Sequence, residues 1–186
     1  MTEVIGRRER KKAQTRKALA DAALELFLER GYGKVGVKEV ADAADVSVTT
    51  LFKYFPSKEA LVFDQDEDIE AALVLAVHGR PPGHSVVDAL RKHILRLTES
   101  APSDEFLRLI ESEPALRDYA RRMWMRHETA LARAIAKEMG APEGDVTCAA
   151  LARFVLASRE LIQADKPPRR AAEEIFACLQ RGWRTE

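Results

Sequence analysis

Residues 37–61 read VKEVADAADVSVTTLFKYFPSKEAL, two short apolar patterns on either side of Asp45-Val46-Ser47. Val37, Val40, Ala41 and Ala44 recur at helical spacing and make one bracing face. Ser47 stands where an N-cap belongs, ahead of a second short helix over Val48–Phe55, and Pro56-Ser57 ends it. Val46 and Leu51 are the residues to lock the turn and the second helix onto a longer neighbour. That leaves Thr49, Thr50, Lys53 and Tyr54 as polar side chains facing outward. A short, capped helix braced by its predecessor has the shape that lies in a major groove. There Thr can meet a base edge or a thymine methyl, Lys a guanine acceptor or phosphate, and Tyr a phosphate. Two-helix corners also occur in unrelated proteins, so this pattern alone leaves DNA binding open.

Working outward, Leu19, Ala22, Ala23, Leu26 and Phe27 form a single stripe on a helix from Ala18 that stops at Gly31, with Arg30 in its last turn. Upstream, Met1–Lys17 carries seven Lys or Arg against two Glu. Arg8 and Lys12 in this segment are candidate phosphate contacts, since Lys and Arg displace condensed counterions; a solvated terminus would carry the same charge. Downstream, Ser57 and Glu59 predict a helix running to about Val77, and Gly79-Arg80-Pro81-Pro82-Gly83 breaks it. Further helices are expected at about Ser85–Glu99, Ser103–Ser112, Pro114–Met139, Asp145–Gln163 and Arg169–Trp183, divided by Pro- and Gly-containing separators. Period-2 alternation and internal repeats are absent. The expectation is an all-α protein of about nine helices: an N-terminal three-helix helix-turn-helix domain with a basic arm over 1–60, and a helical domain over 61–186.

The chain has 186 residues, equal numbers of acidic and basic side chains, and 46% hydrophobic residues. These values fit one large globular domain or two small ones. The longest apolar run, Ala71–Val77, falls far short of the roughly 20 residues of a membrane span. The polar, basic start shows no secretory h-region, so a cytoplasmic protein without a membrane partner is expected. Two cysteines, Cys148 and Cys178, are too few for a disulfide framework. His78, His84, His93 and His127 are scattered without metal-ligand spacing, and no metal or other cofactor is expected.

The surrounding residues sharpen the helix-turn-helix. Ala22-Ala23-Leu24-Glu25-Leu26-Phe27, Glu29-Arg30-Gly31-Tyr32, Val40-Ala41-Asp42-Ala43-Ala44, Val46-Ser47 and Thr50–Leu61 follow in an order and spacing that resembles the DNA-binding domain of TetR-family transcriptional regulators. The resemblance implies a double-stranded DNA operator as partner. It places Thr49, Thr50, Phe52, Lys53 and Tyr54 at recognition-helix positions that face DNA, and adds Ser47, Val37 and Gly36 around the two helix starts. Lys58 occupies the position of a phosphate-binding lysine. Three residues depart from the family pattern. Gly36 replaces a capping Thr or Ser that touches phosphate, Asp45 replaces the turn glycine, and Phe52 replaces a common Tyr.

The resemblance also implies that the C-terminal helices bind a small-molecule effector and form a homodimer. Asp145–Gln163 is apolar nearly all round, and Ala172, Ile175, Phe176, Leu179 and Trp183 form a stripe on the last helix. These two helices are the expected dimer interface, although one chain could bury them internally. Met123, Trp124 and His127 lie in the densest aromatic and Met group, with Phe106, Ile110 and Phe154 as possible facing walls. All six are candidate ligand-binding residues, and core packing would use the same residue types. Arg121, Arg122 and Arg126 could meet an anionic ligand or form a solvated face. The expected function is a ligand-responsive regulator, a repressor released from a palindromic operator by its effector. An activator or architectural binder without effector is the alternative. A helical enzyme or carrier is disfavoured, since no paired nucleophile and base, phosphate-cradling Gly loop or metal set is present.

Overall fold

The computed structural model describes residues 6–98, 102–165 and 167–181. Among these the chain forms nine α-helices and no strand: α1 Arg7–Arg30, α2 Val37–Ala43, α3 Val48–Tyr54, α4 Asp66–His78, α5 Val86–Thr98, α6 Asp104–Ser112, α7 Pro114–Met139, α8 Val146–Ala164 and α9 Pro168–Arg181. Short 3-10 turns lie at Tyr32–Lys34 and Glu59–Leu61. The expected all-α architecture is present. Side-chain caps mark several helix starts: Ser103 Oγ accepts from Phe106 N–H at 3.2 Å, and Asp145 Oδ1 from Cys148 N–H at 2.9 Å. Trp183 of the expected last helix, and the end of that helix, lie outside the described residues.

Two boundaries differ from the sequence reading. α1 begins at Arg7 rather than Ala18, so the basic segment is helical from there on. Residues 7–14 are exposed on all sides, and an exposed extension has no apolar stripe to announce it. Its Arg, Lys, Gln and Ala are strong helix formers, which accounts for its form. The second difference follows Pro56. Ser57 caps a tight turn, with Ala60 N–H on its Oγ at 3.3 Å, and α4 starts only at Asp66. Ala60, Leu61 and Val62 are all buried. Three adjacent buried residues point to different sides, so this segment is enclosed all round and not along one stripe.

The chain packs as two compact units, one through Asp66 and again over Ser103–Arg121, the other over Glu67–Pro102 and from Arg122 onward. The core of the first unit joins Leu19, Ala23 and Phe27 of α1 to Val40 and Ala41 of α2, Leu51 of α3, Phe55 and Leu61. Leu109 of α6 and Leu116 of α7 belong to this same core. The second unit closes Leu73 and Val77 of α4 over Leu90, Ile94, Leu131, Ile135, Ala152, Val155, Ile162, Ala172 and Phe176. This division follows packing and is a separate matter from the functional division expected at residue 60. No helix among the described residues is long and apolar enough to cross a membrane.

Candidate nucleic-acid interface and ligand site

α2 and α3 are held by their own ends. Glu39 Oε2 accepts from Gly36 N–H at 2.8 Å while its other oxygen pairs with Arg30 at 2.7 Å, so a glutamate completes the start of α2 that Gly36 cannot cap. Those contacts, the Gly36 N–H first, hold the Glu39 carboxyl below its usual range. At the turn, Asp45 takes a φ of 52°, and Val46 N–H reaches back to the Ala41 carbonyl at 2.9 Å. Ser47 Oγ then accepts from Thr50 N–H at 3.1 Å and shares a 2.9 Å hydrogen bond with the Thr50 hydroxyl. The local code thus produces a short, capped α3 whose Leu51 is fully buried.

The outward face of this corner carries Ser47, Thr49, Phe52 and Lys53, all exposed; the Phe52 ring is 48% exposed. An exposed aromatic on α3 is free to meet a partner instead of packing. Thr50 is half-buried with its hydroxyl on Ser47, and Val37 and Tyr54 pack partly against the core. Arg8 and Lys12 are exposed on α1, four residues apart and so on one face. Lys58, expected at a phosphate, turns its ammonium inward: it donates to the Tyr32 carbonyl and lies 3.9 Å from the Tyr32 ring centroid. Burial lowers its affinity for a proton, opposed by Glu59, Glu113 and Glu39. The Tyr32 hydroxyl in turn donates to Glu59 Oε1 at 2.9 Å.

Arg16 is the residue that sequence reasoning missed here, counted there only as one more basic charge. Its guanidinium donates to the Tyr54 carbonyl at 3.1 Å and to the Asp64 carbonyl at 2.8 Å, and it lies 4.7 Å from the Phe55 ring centroid. It holds the last residue of α3 and the segment before α4 against α1.

The six candidate ligand residues are not gathered in one compact unit. Phe106 and Ile110 pack against the first unit's core, where Phe63 meets Phe106 edge-on at 6.5 Å and stacks on Tyr119 at 5.2 Å. Both lie on α6, which packs on α1 within this unit. Met123, Trp124 and His127 lie in the second unit; Met123 is 2% and His127 0% exposed. The Trp124 and His127 rings meet edge-on at 4.9 Å. Phe154 is 54% exposed on the outer side of α8. Arg121, Arg122 and Arg126 are exposed, and Arg121 faces Asp118 at 3.5 Å.

Residues 19–64 match the family described as bacterial regulatory proteins, tetR family, and residues 81–164 match the MftR C-terminal domain of the same class of regulators. The chain belongs to the TetR family of transcriptional regulators. Over 147 residues it is 34% identical to the HTH-type transcriptional regulator TcmR of Streptomyces glaucescens, a match covering 73% of this chain and 65% of TcmR. Among solved structures, this TetR-family chain superposes on FadR of Thermus thermophilus, determined in complex with lauroyl-CoA, with a TM-score of 0.53 and 27% identity over 92% of this chain and 96% of that one. NalD of Pseudomonas aeruginosa shares the fold with a TM-score of 0.59 at 21% identity, covering 91% of this chain and 97% of NalD. TetR-family relatives are transcriptional regulators and not enzymes.

Proposed function

We propose that this TetR-family regulator is a homodimeric repressor that α3 docks on a palindromic operator and that a small-molecule effector releases. The observation that carries DNA binding is the capped α2–α3 corner, with Thr49, Phe52 and Lys53 exposed on its outer side. Phe52 suits a thymine methyl and Lys53 a guanine or a phosphate. Ser47, Thr50, Tyr54, Gly36 and Val37 frame this surface, and Arg8 and Lys12 add positive charge on α1. Two such helices on a two-fold dimer read half-sites about 34 Å apart, or a multiple of it.

The outer face of α8 supports dimerisation. Val146, Phe154 and Leu161 are 79%, 54% and 66% exposed, and their spacing puts them on one side of the helix. Ala150 and Ala157 continue that apolar side. Of the stripe on α9, Ala172 and Phe176 are fully buried in the second unit's own core, while Ile175 and Leu179 are half-buried. The effector reading rests on the Met123, Trp124 and His127 group in the second unit. That FadR of Thermus thermophilus was determined with lauroyl-CoA supports a small-molecule effector for a chain of this fold. Release requires that the effector bind the operator-competent and released conformations unequally.

Fluorescence anisotropy on DNA from the protein's own upstream region, against a scrambled duplex and at two salt concentrations, tests the reading. Selective binding that weakens with salt is expected. Lys53→Ala and Phe52→Ala should each weaken operator binding about tenfold while the dimer persists. Equal, weak binding to both duplexes, or undiminished affinity in both variants, overturns it.

A further inference from the structure

Among the described residues, the second unit holds a cation with no acidic side chain at ion-pair distance. Arg159 sits on α8 between the buried Ser158 and Ile162, and is itself half-buried. Its guanidinium carbon lies 3.6 Å from the centroid of the Trp124 ring, whose other neighbour is the fully buried His127. Among the described residues no carboxylate comes within 4.0 Å of this guanidinium. Glu160, the neighbour in sequence, is exposed and acts on it only at longer range, opposing the effect of burial. The contrast with nearby arginines is clear: Arg153 reaches Glu128 at 2.8 Å, Arg169 reaches Glu173 at 3.2 Å and Arg170 reaches Asp165 at 3.1 Å. Burial pushes the Arg159 guanidinium down to about 10, so it stays charged at neutral pH.

A cation partly withdrawn from water without a close counter-ion is costly, and its contact with Trp124 offsets only part of that. The geometry is nevertheless apt for binding. A guanidinium carries its N–H donors in its own plane, where they match two oxygens of one anion, and contact with the indole ring leaves those donors unused.

We propose that Arg159 receives the anionic head of the effector, which is therefore an oxyanion such as a carboxylate carried on an apolar body, with Trp124 holding the guanidinium in position. This rests on the effector reading of the second unit. The sequence contains two tryptophans, so a Trp183→Phe background leaves Trp124 as the sole fluorescent indole. In the full-length protein, Trp124 fluorescence is titrated with decanoate, decyl sulfate and decan-1-ol, each below its aggregation limit.

Saturable binding of at least one anion, about tenfold tighter than the alcohol, is expected. Arg159→Gln should bring that ratio close to one, and Arg159→Lys should recover part of it. No saturable response to either anion, equal affinity for the alcohol, or a preference that survives in Arg159→Gln overturns the proposal. Should Arg159→Gln fail to fold, the wild-type ratio and the Arg159→Lys variant decide. Adding the same compounds to the operator complex separates the two readings. Anion-selective binding without operator release keeps the Arg159 site and removes the effector role. Release by acid and alcohol alike keeps the regulator and removes the site.

Discussion

Asp45 turns the chain between α2 and α3 with φ at 52°, a left-handed conformation that costs a residue with a Cβ about 1–2 kcal/mol. Asp bears this better than branched residues, which is how the turn forms without the family's glycine. Asp45→Gly should therefore keep or raise the melting temperature, while Asp45→Val should lose about 1–2 kcal/mol in chemical denaturation. Equal stability of all three forms would remove strain from the account of this turn. His93 in α5 is a second case where one residue carries a measurable effect. It is 6% exposed, and burial, with a smaller contribution from Arg96, lowers its imidazole from the ordinary 6.5. The unfolded chain takes up the proton at about 6.5, before the folded protein does. Stability is thus intact above that pH and falls as the pH drops below it. Thermal melts from about pH 7 down to about pH 5.5 should show this decline, and His93→Leu should flatten it. An unchanged slope in the variant would assign the titration to other groups.

Among the elements, those with a local signal were legible. The Leu19–Phe27 stripe, the Ser47 cap and the Pro114 start give α1, α3 and α7 directly, because each signal lies within one helix turn of the feature it specifies. The first turns of α1 carry no such stripe, and Ser57 caps a short turn as readily as a long helix. Arg16 shows what joins elements. It is 38 residues from Tyr54 and 48 from Asp64, yet it bonds both carbonyls. Arg16→Ala should cost about 2 kcal/mol, since hydrogen bonds to charged donors are the stronger kind. Amide exchange around Phe55 should accelerate, and operator affinity should fall while the dimer remains. Unaltered exchange at the end of α3 would reduce Arg16 to a surface charge.

At the scale of the molecule, the exposed apolar side of α8 is the feature that a single chain leaves unexplained. A charge placed there should separate protomers without disturbing the fold, because these side chains are not part of the second unit's core. Phe154→Glu with Leu161→Glu is expected to sediment as a monomer, retain its helical circular dichroism and lose operator binding. Retention of the dimer would move the interface off α8. The same surface shows why the sequence reading of α8 was ambiguous. Ala152, Val155 and Ile162 face inward while Val146, Phe154 and Leu161 face outward, and both sets are apolar.

The helical class, the α2–α3 corner, its Ser47 cap and the family were readable from residue order, because helix spacing, capping and turn chemistry act over three or four neighbours. The partners of each apolar stripe were not. Phe106 and Ile110 have the same character as pocket walls and as core, and only packing assigns them to the first unit beside Phe63 and Tyr119. Lys58 reads as a phosphate contact and Arg16 as one more basic charge until the fold brings both to backbone carbonyls. Arg159 is one arginine among many in the sequence. Its position over Trp124, beyond ion-pair distance of every described carboxylate, arises when α7 and α8 come together, because desolvation is a property of surroundings and not of residue type.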